Sequence, residues 1–150
     1  MTKPMILKAD EMFCHAVYTA GHVINRAYGP LLADLGLTYP QYITLTVLRD
    51  QKALTVGALA RALRMDSSTL TPLLKRLEFQ GHVTRKRGTE DERQVFVSLT
   101  PQGRRLLDKA PEITRCMIDG TGLAIDDLEN IVTLLSALSA NLSGDQSPNP

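Results

Sequence analysis

From Ala9 to about Leu35, apolar residues recur at three- and four-residue intervals: Met12, Phe13, Ala16, Val17, Ala20, Val23, Ile24, Ala27 and Leu31. That period predicts a long amphipathic helix, with Pro30 expected to kink it or to begin a new segment. Gly36-Leu37-Thr38 ends the pattern, and Thr38 can cap a second helix from Tyr39 to about Arg49, with Pro40 in its first turn where a missing amide costs nothing. After Gln51-Lys52-Ala53, two shorter stripes follow, at Val56, Leu59, Ala60 and Leu63 and then at Leu70, Leu73, Leu74 and Leu77. They predict two helices joined by a tight turn at Arg64-Met65-Asp66-Ser67, where Asp66 and Ser67 are both good N-caps, so the second opens around Ser67. Past Gly81 the period changes. Val83 and Arg85 to Arg87 suit one short strand, and Gln94 to Leu99 alternates polar and apolar as a second, with a polar turn between them. Thr100-Pro101-Gln102-Gly103 then caps a helix from Pro101 to about Asp119 with Pro111 inside it, Gly120 and Gly122 break it, and Asp126 to about Leu142 is a last amphipathic helix with Leu128, Ile131, Val132, Leu135 and Leu138 on its stripe.

A helix pair followed by a hairpin is the pattern of a winged helix-turn-helix. The expected fold is therefore mainly α with a small β-hairpin wing. One domain is expected over 1–150, with the winged helix-turn-helix at about 54–99, dimerisation helices at about 8–35 and 101–142, and a flexible tail at 143–150. The first helix and the last two carry more apolar surface than the winged helix can cover, which points to a second copy, and two recognition helices one helical turn apart would suit an inverted-repeat duplex.

Charge changes the picture by its placement. The net charge is only +1. Residues 54–105 hold Arg61, Arg64, Lys75, Arg76, Arg85, Lys86, Arg87, Arg93, Arg104 and Arg105 against Asp66, Glu78, Glu90, Asp91 and Glu92, whereas 106–150 hold Lys109 and Arg115 against seven acids. The cations lie where phosphates would pass. Ser67, Ser68, Thr69 and Thr71 on the first turns of the second short helix suit base edges in the major groove, and Lys75 and Arg76 follow them. Arg76, Arg85, Lys86 and Arg87 are expected at the DNA backbone, and Arg93 in the minor groove, with Asp91 bracing that arginine or the wing turn. At 43% hydrophobic and 22% charged the composition is that of a globular protein. With no signal peptide and no run long enough to span a bilayer, a cytoplasmic protein is expected.

The two cysteines, Cys14 and Cys116, form no CxxC and no zinc spacing. His15 adjoins Cys14 but points about 100° away on a helix, and His22 lies eight positions on from Cys14 with no carboxylate between, so neither a metal site nor a cofactor is expected.

Asp91-Glu92-Arg93 followed by Val95, Val97, Ser98, Leu99 and Thr100 resembles the D-x-R…LT wing signature of MarR-type regulators. Phe13-Cys14, Tyr28, Pro30-Leu31-Leu32, Leu37 to Tyr42, Leu54-Thr55-Val56, Asp66 to Pro72 and Thr84 to Arg87 resemble the organic-hydroperoxide-responsive OhrR group within that family, over roughly residues 8 to 105. The resemblance implies a MarR-like helical dimer that represses transcription from an inverted-repeat operator. It implies that Cys14 is the peroxide-sensing thiol and that Tyr28 and Tyr39, from the partner subunit, hydrogen-bond its sulfur. It further implies that Cys116 resolves the oxidised sulfur as a disulfide across the dimer, with an organic hydroperoxide as inducer and no enzymatic turnover. Two other readings stay open: a MarR-type repressor released by a small aromatic ligand, and a thiol peroxidase.

Overall fold

The computed structural model describes residues 8–144. Contacts divide the chain into two units, Met1–Pro111 and Glu112–Pro150.

In the first unit a 3-10 turn at Ala9–Glu11 leads into α1 (Phe13–Leu32), which runs past Pro30 before tightening into a second 3-10 turn at Ala33–Leu35. The single expected helix is thus a helix with a 3-10 turn at each end. Its only buried residue is Leu32. Thr38 and Gln41 close a reciprocal capping box at the start of α2 (Tyr39–Arg49): the Gln41 amide donates to Thr38 Oγ1, and the Thr38 amide to Gln41 Oε1. Leu45 and Leu48 of α2 are completely buried, together with Leu59, Leu70, Leu74 and Leu77 from the next two helices.

Leu54–Thr55 forms a two-residue strand, β1, and Thr55 then caps α3 (Val56–Leu63) by accepting the Ala58 amide. The sheet is consequently three-stranded, in the order β1-β3-β2, and not the bare hairpin the alternation predicted. Two residues are too few to show a period, and only pairing with β3 identifies them as a strand. Arg64 turns the chain with a left-handed φ of 50°, and α4 (Ser67–Phe79) follows. Asp66 occupies the N-cap position without making a side-chain cap bond.

β2 (Val83–Arg87) and β3 (Val95–Leu99) pair antiparallel, Val83 with Leu99 and Arg85 with Val97. Where α4 passes into β2, Gly81 adopts a φ of 81° that favours glycine. The Thr100 hydroxyl donates to the Gly81 carbonyl at 2.7 Å while accepting the Gly103 amide, so one side chain ties this junction to α5 (Pro101–Leu106). The expected helix from Pro101 to Asp119 is divided: α5 gives way to a 3-10 turn at Leu107–Lys109 before α6 (Ala110–Thr121) begins. Pro111 lies in the first turn of α6, where its missing amide is harmless, instead of inside a longer helix where its ring would clash with the preceding turn.

His82 is buried with no partner for Nδ1, and burial lowers its pKa below the ordinary value. Below about pH 6.5 the unfolded chain therefore binds a proton that the folded one resists, and stability falls with falling pH. His82→Leu is expected to flatten the melting temperature between pH 7 and the onset of carboxylate titration, measured by thermal melts at stepped pH.

In the second unit, α6 carries Cys116 and ends at Thr121, past Gly120, and Gly122 turns the chain. α7 (Ile125–Ser143) has no buried residue. Gly144 caps it, and the remainder of the expected tail, 145–150, lies outside the described residues. No helix among the described residues is long and apolar enough to cross a membrane.

Candidate nucleic-acid interface and thiol site

The short polar side chains that open α4 stand free of the core. Ser67, Ser68 and Thr69 are exposed, whereas Leu70, Leu74 and Leu77 on the opposite stripe anchor the helix. Thr71 is half-buried and its hydroxyl donates to the Ser67 carbonyl at 2.8 Å, so its first bond is to its own helix. Lys75 and Arg76 are exposed further along α4.

At the wing tip the Asp91 carboxylate accepts from the Arg93 amide at 3.0 Å and from Arg93 Nε at 3.1 Å, and Arg93 Nη2 approaches its other oxygen at 3.5 Å. These hydrogen bonds hold the Asp91 pKa below the usual carboxylate range. The Arg93 side chain nevertheless stays 92% exposed, a cation held out from the surface by its brace. Lys86 and Arg87 are exposed on β2. Arg85 differs from them, because Nε and Nη2 both donate to Glu78 Oε2, at 2.9 and 2.7 Å.

Between α3, α4 and the wing lies a cleft of about 500 Å³ lined by Thr55, Val56, Gly57, Arg61, Thr71, Arg85, Arg93, Gln94 and Val95. It brings Arg61 to the same face as Arg93. The sequence counted Arg61 among the cations of this region without giving it a role of its own, since one cation on the first short helix carries no local signal. Glu78 was missed for the same reason, seven positions from the arginine it holds.

Cys14 is exposed in the first turn of α1, and Cys116 is exposed on α6; both are free thiols. The two tyrosines singled out in the sequence come together: Tyr28 stacks on Tyr39 with ring centroids 4.4 Å apart, and buried Tyr42 lies 5.9 Å from Tyr28. Burial raises the pKa of both Tyr28 and Tyr39, and the neighbouring phenols add to it. Each therefore keeps its proton at neutral pH and can donate a hydrogen bond. Tyr28 lies fourteen residues beyond Cys14 on α1, an axial separation of about 21 Å at 1.5 Å per residue. The phenols of a chain are thus remote from that chain's own sulfur. His22 packs edge-on against Tyr18 at 4.4 Å, and no cluster of metal-ligating side chains occurs among the described residues.

Residues 26–110 match the family model described as transcriptional regulator SarA/Rot. Over 143 residues the chain is 43% identical to the HTH-type transcriptional regulator TtmR of Methylorubrum extorquens, covering 93% of this chain and 73% of that protein. It is 42% identical over 132 residues to the organic hydroperoxide resistance transcriptional regulator of Bacillus subtilis, covering 88% of each. Among solved structures, AbfR of Staphylococcus epidermidis superposes with a TM-score of 0.76 at 29% identity, over 88% of this chain and 91% of that one. Reduced AbfR bound to DNA gives 0.70 at the same identity, over 86% and 90%.

Proposed function

This chain belongs to the MarR family of transcriptional regulators, and from that premise we propose that it is a cytoplasmic homodimeric repressor that holds an inverted-repeat operator while Cys14 is reduced and releases it when an organic hydroperoxide oxidises that thiol. The observation that carries the sensing half is the 42% identity, over 88% of both chains, to the Bacillus subtilis organic hydroperoxide resistance regulator. The DNA half is supported by the exposed Ser67, Ser68 and Thr69, by Lys75, Arg76, Lys86 and Arg87, and by Arg93 on its Asp91 brace. A relative solved on DNA adds to it. The relatives are transcriptional regulators and not enzymes, which sets the peroxidase reading aside.

Dimerisation is supported by apolar surface that the single chain leaves open. Phe13, Val17, Val23 and Ile24 on α1 and Ile131, Val132, Leu134 and Leu135 on α7 are all exposed. Patches of this kind mark protein interfaces. In such a dimer Tyr28 and Tyr39 serve the partner's sulfur, since their own lies about 21 Å away along α1. Hydrogen bonds from two protonated phenols stabilise a thiolate, the species that attacks the peroxide.

The sulfur attacks the distal peroxide oxygen, the O–O bond breaks, and the alkoxide leaves and takes a proton, giving a sulfenic acid and an alcohol. The Cys116 thiol of the partner subunit then displaces hydroxide from that sulfur, forming a disulfide and water and halting the climb to irreversible oxides. On non-reducing gels, cumene hydroperoxide is expected to convert the wild type to a covalent dimer that dithiothreitol reverses. Cys116→Ser is expected to stay monomeric on the gel. A linked dimer in that variant would remove Cys116 from the scheme.

A further inference from the structure

The ion pair between Glu78 and Arg85 joins two elements that must act on DNA together. It spans from the last turn of α4 to the middle of β2, at 2.7 Å, with side chains only 39% and 26% exposed. Two further ion pairs, Arg49 with Asp50 and Arg93 with Asp91, stay within one local segment. Arg85 shares a face of β2 with buried Val83 and lies opposite buried Val97, whereas Thr84 and Lys86, on the alternate face, are exposed. The strand therefore aims Arg85 at the protein.

At the root of the wing, the link Gln80-Gly81-His82 is fastened by the Thr100 hydroxyl on the Gly81 carbonyl, the Thr100 amide on the His82 carbonyl at 3.1 Å, and Gln102 Nε2 on the Gln80 carbonyl at 3.4 Å. Those bonds fix where the wing begins. Further out, β3 is paired with β1 at Leu54 and Thr55, and Arg85 adds a side-chain tie that runs directly from β2 to α4. We propose that Glu78 and Arg85 form a brace setting the angle between recognition helix and wing, and that Arg85 serves DNA binding as a positioning residue and not as a phosphate ligand. This rests on the DNA-binding reading above and departs from the expectation that Arg85 meets the backbone.

The physical consequence is a difference between two kinds of affinity. A carboxylate already neutralises this guanidinium through two charge-assisted bonds to one oxygen, so the pair releases no counterion from DNA. Reading bases with α4 while the wing enters the neighbouring groove requires both at a fixed spacing, whereas loose association with any duplex does not. Loss of the brace should therefore weaken selective binding and spare the non-selective kind.

The test uses the full-length protein, a duplex enriched from random sequence by the wild type, and a scrambled duplex of equal length, with folding of each variant checked by thermal melting. Glu78→Gln and Arg85→Gln are each expected to weaken the enriched duplex about tenfold, the size of an ordinary coupled pair. Scrambled-duplex affinity and the slope of log affinity against log salt should stay as in the wild type. Combining Glu78→Arg with Arg85→Glu restores most of the lost discrimination. The proposal is overturned if Arg85→Gln weakens both duplexes alike and lowers the salt slope by about 0.9 while Glu78→Gln tightens both, for then Arg85 is a phosphate ligand held back by its carboxylate. It is equally overturned if the variants melt earlier but, where folded, discriminate as the wild type does. A wild type that enriches no duplex overturns the DNA-binding reading itself, and the brace with it.

Discussion

Cys14→Ser is expected to bind operator as tightly as the wild type and to remain bound at hydroperoxide concentrations that release the wild type completely. Cys14 is exposed in the first turn of α1, away from the helix-turn-helix elements α3 and α4, so exchanging sulfur for oxygen removes no buried contact. A serine hydroxyl does not form the sulfenic acid from which a disulfide follows. The measurement is operator binding by fluorescence anisotropy, titrated with cumene hydroperoxide and then with dithiothreitol. Release of the variant by peroxide would place the sensor elsewhere. Reversible release of both proteins by a phenolic acid, without any reductant, would favour a ligand-gated repressor instead.

Gly103→Ala is expected to be the most damaging single methyl group in the winged-helix unit. A Cβ at this position would lie 2.1 Å from the His82 carbonyl oxygen and 3.0 Å from its carbon. The obstacle is backbone, already fixed by the Thr100 amide at 3.1 Å, and it belongs to the junction where α4 becomes the wing. It cannot swing aside as a flexible side chain would. Overpacking of this kind costs about 3 kcal/mol, which in a chain of this length lowers the melting temperature by roughly 10 °C. The same shift should loosen the wing, so operator affinity measured well below the melt is expected to fall too. A variant melting within a degree or two of the wild type would show that α5 and the junction can separate without loss.

Much of this was legible beforehand because it is local. The Thr38 and Thr100 caps, the opening of α4 at Ser67 and the Asp91 brace on Arg93 each involve residues within three positions of one another, and short-range chemistry leaves a short-range signature. The features that escaped are those whose partners are distant in sequence. β1 exists only through pairing with β3, some forty residues on. Arg85 looked like its neighbours Lys86 and Arg87 in a basic run, and only the pleat of β2 against α4 turned it inward to Glu78. Tyr42 is buried, and its place beside Tyr28 depends on how α1 and α2 cross.

The order of residues by itself determined the periods, the caps and the family likeness, since each is written in spacings of a few positions. Which cation faces solvent and which is clasped, which glycine tolerates no methyl, and that Tyr39 of α2 stacks on Tyr28 of α1 were decided only once helices and strands had packed. Those are distances through space between groups remote along the backbone, and no local pattern encodes them.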